Sequence, residues 1–144
     1  MSKNNNMTLN DILKFHLDEN NRFSDTLKVE NGIYMLYDGK ETASVFLKNG
    51  YEIELTLNTE AFDETISFKG NGAEQSNFLA KKALLEEELL DLDALSILNE
   101  SDLKIRLSEI KSELENFYKT NSNIDSLIVT KGLNEIEPML GFYE

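Results

Sequence analysis

The chain contains no cysteine. Disulfides, thiolate nucleophiles and Cys-ligated zinc are therefore outside its own chemistry, although this does not fix a compartment. It has one histidine, His16, so a His-rich metal site or a His pair cannot be assembled. There is no Gly-x-Ser-x-Gly elbow and no Walker-type loop. Basic residues are in the minority: 14 Lys and Arg stand against 27 Asp and Glu, for a net charge of −13. Nucleic acid and anionic membrane surfaces both need clustered positive charge, so this balance argues against either as a partner. No apolar run approaches the roughly 18 residues of a membrane-spanning helix. The start, "MSKNNNM", is too polar and too short for a signal peptide.

What remains is an ordinary globular composition. Hydrophobic residues make up 40% and charged residues 28% of 144 positions, enough for a modest core in one domain or two very small ones. The first half carries the two-residue period of strands. In "YEIELTLN", Tyr51, Ile53, Leu55 and Leu57 face one way, and Glu52, Glu54, Thr56 and Asn58 the other. "RFSDTLKV" alternates with Phe23, Leu27 and Val29 inward. "GIYMLYDG" and "TASVFLKNG" follow, bounded by the turn pairs Asn31-Gly32, Asp38-Gly39 and Asn49-Gly50. "ETISFKG" places Ile66 and Phe68 inward. "TLNDILKFHLDENN" fits either a strand or a helix face. The strand reading is preferred because "DENN" resembles a hairpin turn, and His16 then points outward beside Lys14.

The second half changes period. Phe78, Lys82, Leu85, Leu89 and Leu92 step by four and three, as do Leu103, Leu107, Ile110, Leu114 and Phe117, the signature of amphipathic helices. Ser76 or Asn77 can cap the first helix, and Ser101 the second. A third, weaker helix is expected after Asn123, weakened by Gly132 and broken or kinked near Pro138. The expected class is α+β: an antiparallel β-sandwich or meander of five to six strands over residues 8–70, then two or three helices over 74–144, packed as a helical hairpin plus tail. Two stripes of this kind can exceed what one small sheet covers, so a homodimer through the helices is expected.

Four groups of residues invite a functional reading. "GNGAEQ" precedes a helix, where a phosphate loop would lie, but it lacks the further glycine or the Lys-Ser/Thr of known loops, and Glu74 would repel an anion. Gly70 and Gly72 are better taken as a structural hinge between sheet and helix. Asp91, Asp93, Glu100 and Asp102 lack the central glycine of a calcium loop, so a solvated helix end is expected there and no metal site. Glu86, Glu87 and Glu88 form a charge run facing water or a partner. Tyr34, Tyr37, Phe46 and Tyr51 fall on adjacent strands. Core packing is their default use, and a peptide- or glycan-binding face of a standalone module is the alternative. No cofactor and no catalytic set is expected.

The segment from Arg22 to Leu90 resembles the N-terminal region of TlpA-like thiol–disulfide oxidoreductases of Bacteroidetes envelopes. That region commonly shows F-x-D-T-L-x-V, G-x-Y-x-L, L-x-x-G-Y/F with an alternating strand, F-D-E-T/S-I, and G-x-G-A followed by F-L-A-x-K. The matching stretches here are Phe23 to Val29, Gly32 to Leu36, Leu47 to Leu57, Phe62 to Ile66 and Gly70 to Lys82. The redox Cys-x-x-Cys of that family lies in a following thioredoxin fold, so no catalytic residue carries over to this chain. The resemblance implies a non-catalytic accessory domain covalently linked to a thioredoxin-like partner domain in an envelope protein, often lipid-anchored. "SKNNN" would suit the polar spacer behind such an anchor.

Overall fold

The computed structural model describes residues 6–10, 13–16, 18, 30–56, 66–121 and 123–143. "RFSDTLKV" and the Phe62 to Thr65 stretch lie outside them. The architecture is α+β: two antiparallel sheets followed by helices. The chain forms two compact units, Met1–Ala80 and Lys81–Glu144.

The first unit holds β1 (Asn6–Leu9), β2 (Leu13–His16), β3 (Gly32–Tyr37), β4 (Thr42–Leu47), β5 (Glu52–Thr56) and β6 (Ser67–Asn71), and the start of helix α1 (Ala73–Leu89). One sheet has the order β2-β1-β3-β4 and the other is the hairpin pair β5-β6. Of the ambiguous early run, Thr8, Leu9 and Leu13–His16 are in strands and Asn10 is in a turn. Asn10 adopts φ 53°, a left-handed conformation that asparagine tolerates better than most residues. Its backbone N–H donates to the Met35 carbonyl at 2.9 Å and its side-chain Oδ1 accepts from the Met35 N–H at 2.7 Å. One residue thus continues the β1–β3 pairing beyond the end of the strand. The β3–β4 hairpin turns at Asp38, whose carboxylate accepts from the N–H groups of Lys40 and Glu41 at 2.9 and 2.7 Å. This is the local side-chain mimic of a backbone turn for which aspartate is favoured.

Alternation decides which side chains meet. Met7, Leu9, Phe15, Leu36 and Val45 of the four-stranded sheet and Phe68 of the two-stranded sheet share one buried cluster with Ala73. Tyr34, Leu47, Ile53, Leu55 and Ile66 pack against it. Each large apolar side chain buried in this way contributes about 1.5–3 kcal/mol. Both sheets are needed to enclose the cluster, since a lone two-stranded pair is marginal in water. His16 and Lys14 are exposed, as expected.

The second unit contains the rest of α1, then α2 (Leu92–Ser96), α3 (Glu100–Lys119) and α4 (Ser126–Gly141). Its buried side chains are Leu89, Leu95, Leu107, Ile110, Leu114, Tyr118, Ile128, Ile136 and Leu140. The expected stripe on α3 is present, with Leu103 and Phe117 half-buried at its flanks. Lys111 Nζ on α3 donates to Glu137 Oε1 on α4 at 2.6 Å.

The helix boundaries differ from expectation in three ways. α1 starts at Ala73, so Ser76 and Asn77 lie inside its first turns and are not its caps. α3 is capped by Asn99, whose Oδ1 accepts from the Asp102 N–H at 2.8 Å, and not by Ser101. α4 is capped by Asp125 and runs through Pro138 to Gly141. Pro138 is exposed in the last turn of the helix, and its missing N–H leaves the carbonyl four residues back, at Asn134, without its intrahelical donor. Gly132 does not interrupt α4. It is buried against Tyr118, where a Cβ would fall among the ring atoms of that tyrosine.

Candidate functional site

The joint between β6 and α1 concentrates the unusual geometry of the first unit. Gly70 has φ 103° and Gly72 has φ 91°, in the region that side chains with a Cβ rarely enter. Space forbids a Cβ at both positions as well. At Gly70 it would strike the Glu52 carbonyl of the paired strand, and at Gly72 it would enter the ring of Tyr51. Both glycines therefore have a physical requirement behind them. Tyr51 fills the space directly against buried Gly72, and its ring also meets Phe46 edge-on, with centroids 6.2 Å apart. A phosphate over this loop would have to displace that ring.

Beyond the glycines, two consecutive residues of α1 complete the sheets. The Oγ of Ser76, a fully buried residue, accepts from the Phe46 N–H at 2.9 Å. Asn77 uses both halves of its amide on Phe68: Oδ1 accepts from the Phe68 N–H at 2.9 Å and Nδ2 donates to the Phe68 carbonyl at 2.8 Å. β4 ends the four-stranded sheet, and the backbone N–H and C=O of Phe68 on β6 turn away from β5 toward Asn77. Buried backbone groups there need partners, and an exposed row of them invites wrong pairing. Ser76 occupies one such edge and Asn77 mimics a strand along the other. No local pattern signals this use; it depends on β4 and β6 being brought to the first turns of α1.

The four aromatics do not form one face. Tyr34 pairs with Val45 and looks into the shared core, while Ile33 pairs with Phe46. Successive residues alternate faces, so Phe46 and Tyr37 lie on the side opposite Tyr34. Phe46 is only 1% exposed. Tyr34 Oη donates to the Glu30 carbonyl at 2.5 Å, and Tyr51 lies outside the strands over the glycine joint. Tyr37 and Met35 are the large exposed side chains of the first unit, among the described residues.

The acidic positions are used at helix ends. Asp91 accepts from the Asp93 and Ala94 N–H groups at 3.0 and 3.4 Å, and Asp102 and Glu100 lie in the first turn of α3, where negative charge is favourable. Among the described residues no group of three or more His, Asp or Glu side chains is placed to hold a metal ion. Of the Glu86–Glu88 run, Glu87 and Glu88 are exposed and Glu86 is half-buried. Burial pushes the Glu86 carboxyl above the usual carboxylate range, opposed by Lys82, whose Nζ is 3.7 Å away, and reinforced by Glu135. The Tyr118 hydroxyl is likewise held above its ordinary value, first by burial and then by the charges of Glu86 and Glu135. The periodicity of the sequence places Tyr118 next to the α3 stripe but cannot show this grouping of α1, α3 and α4.

No family model, curated protein or solved structure matches this chain.

Proposed function

We propose that this chain is a non-catalytic accessory domain of a TlpA-like thiol–disulfide oxidoreductase of the cell envelope, lipid-anchored in the parent protein. Its role is to position, or to pair, the thioredoxin-like domain that carries the cysteines. The observation behind this reading is the use made of the resembling residues. Leu36 lies in the shared core. Gly70 and Gly72 satisfy backbone and contact requirements. Ala73, Phe78 and Leu79 are buried. Residues spent on rigidity are what a positioning domain requires, and no exposed chemistry is asked of them. The coding sequence beyond Glu144 tests the proposal. An in-frame thioredoxin-like domain with Cys-x-x-Cys supports it, and a reading frame without one overturns it.

Pairing of two copies through the helical unit belongs to the same reading. Leu92, Ile97 and Ile105 expose 61%, 83% and 59% of their surfaces, apolar area that a second copy would cover. Sedimentation of the protein should show a dimer that Ile97→Glu with Ile105→Glu disperses. A monomer at high concentration removes this part of the proposal.

A further inference from the structure

Three Asn-Gly pairs occur in the chain: Asn31-Gly32, Asn49-Gly50 and Asn71-Gly72. Each is open in principle to the same spontaneous reaction, because glycine leaves the following backbone nitrogen free to approach the asparagine side chain. In this reaction the backbone nitrogen of the glycine gives up its proton and attacks Cγ of the asparagine. The new C–N bond closes a succinimide ring, the Cγ–Nδ2 bond breaks and ammonia leaves. Water then opens the ring at one carbonyl to give aspartate, or at the other to give isoaspartate. No oxidant, metal or enzyme enters.

The structure treats the three pairs differently. Asn31 has its side-chain Oδ1 engaged by the Asn49 N–H at 3.2 Å. Gly32 is paired with Leu47 in the β3–β4 ladder. The Phe46 N–H points away from β3 to Ser76, so the alternation of an antiparallel ladder makes Gly32 and Leu47 a hydrogen-bonded pair, and the attacking nitrogen is occupied. Asn71 has its Nδ2 bonded to the Gly50 carbonyl at 3.0 Å, and Gly72 is buried against the Tyr51 ring, which blocks the ring closure.

Asn49-Gly50 is not restrained in either way. Both residues are exposed in a turn closed by the Tyr51 N–H to the Lys48 carbonyl at 3.1 Å. Gly50 has φ 88°, and open space lies where its Cβ would be. The hydrogen bonds of the pair run through the Asn49 N–H and the Gly50 carbonyl. Among the described residues, none holds the Asn49 amide or the Gly50 N–H. We infer that Asn49 is a site of non-enzymatic deamidation and isoaspartate formation, selected over the other two Asn-Gly pairs by the fold. The turn carries the chain from the four-stranded sheet to the two-stranded one, and it is pinned by Asn31 on one side and Asn71 on the other. Isoaspartate would add a methylene to the backbone between those two pins.

The test is peptide mapping of the folded protein aged at mildly alkaline pH. Lysines at 28, 40, 48, 69 and 81 place each pair on its own tryptic peptide, and tandem fragmentation assigns the converted residue. The expected result is amide-to-acid conversion at Asn49 several-fold faster than at Asn31 or Asn71, with the three rates converging when the same ageing is done in denaturant. Conversion at Asn31 or Asn71 as fast as at Asn49 in the folded protein overturns the inference. So does a difference that persists unchanged in denaturant, because local sequence would then be its cause. Gly50→Ala should slow conversion at Asn49 while leaving the other two rates unchanged.

Discussion

Gly132→Ala sets two well-calibrated effects against each other. In the interior of an ordinary helix this change stabilises by about 1 kcal/mol, because glycine loses more backbone freedom on folding than alanine. Gly132 has no left-handed φ to protect, so propensity alone favours alanine. The opposing effect is steric. The new Cβ would lie among the Cζ, Oη and Cε1 atoms of Tyr118, a residue only 3% exposed. The ring cannot retreat without surrendering part of its burial, and overpacking of this kind costs about 1–3 kcal/mol. Lost burial of a large side chain adds to that, at about 1.5–3 kcal/mol if complete. Sterics should win, leaving Gly132→Ala destabilised by about 1–3 kcal/mol in urea unfolding, read as a lower midpoint at unchanged slope. The decisive comparison is the same substitution in a Tyr118→Ala background. That background alone should lose about 3–5 kcal/mol, but within it Gly132→Ala should become stabilising by about 1 kcal/mol. Stabilisation in the presence of Tyr118 refutes the reasoning, as does an equal loss in both backgrounds.

Other consequences are as direct. Gly72→Ala should cost about 1–2 kcal/mol for its left-handed φ and a further 1–3 kcal/mol or so for displacing Tyr51. Gly50→Ala, with similar φ and open space, should cost only the first amount; equal losses in denaturant titrations would remove Tyr51 from the account. Glu86 has its folded pKa raised, so its contribution favours the folded state at acid pH and is lost as pH rises through that folded value. Glu86→Gln should therefore gain in relative stability between the ordinary carboxylate range and neutrality, and match the parent where both are uncharged. A gain confined to low pH contradicts this. Pro138→Ala should stabilise α4 by up to about 3 kcal/mol, the helix-interior difference between the two residues, and a lower melting temperature would show that Pro138 serves a packing role.

How far the fold can be read from the residues depends on whether the decisive partner is near in sequence. β5 is legible because one face is wet: Ile53 and Leu55 turn inward while Glu52 and Glu54 stay exposed. The Asp38 and Asn49 turns are legible because aspartate and glycine carry their own local geometry. The α3 stripe follows from its spacing alone. Ser76 and Asn77 look like helix caps to any local rule, yet their partners are Phe46 and Phe68, thirty and nine residues away. Gly132 looks like a helix weakener until Tyr118 is set against it. The aromatics look like one patch because neighbouring strands share them, but strand register decides faces, and a shift of one residue exchanges them.

The segment after Gly72 closes the two sheets, with Ser76 and Asn77 satisfying the outward N–H groups of Phe46 and Phe68. Amide hydrogen exchange at these two residues tests it most directly. Both N–H groups point away from their ladders, so without α1 they would exchange like those of an open edge. Slow exchange is expected at both in the native protein, with Asn77→Ala releasing Phe68 while Lys69, paired within the β5–β6 ladder, stays protected. Rapid exchange at Phe46 and Phe68 in the native protein would contradict it.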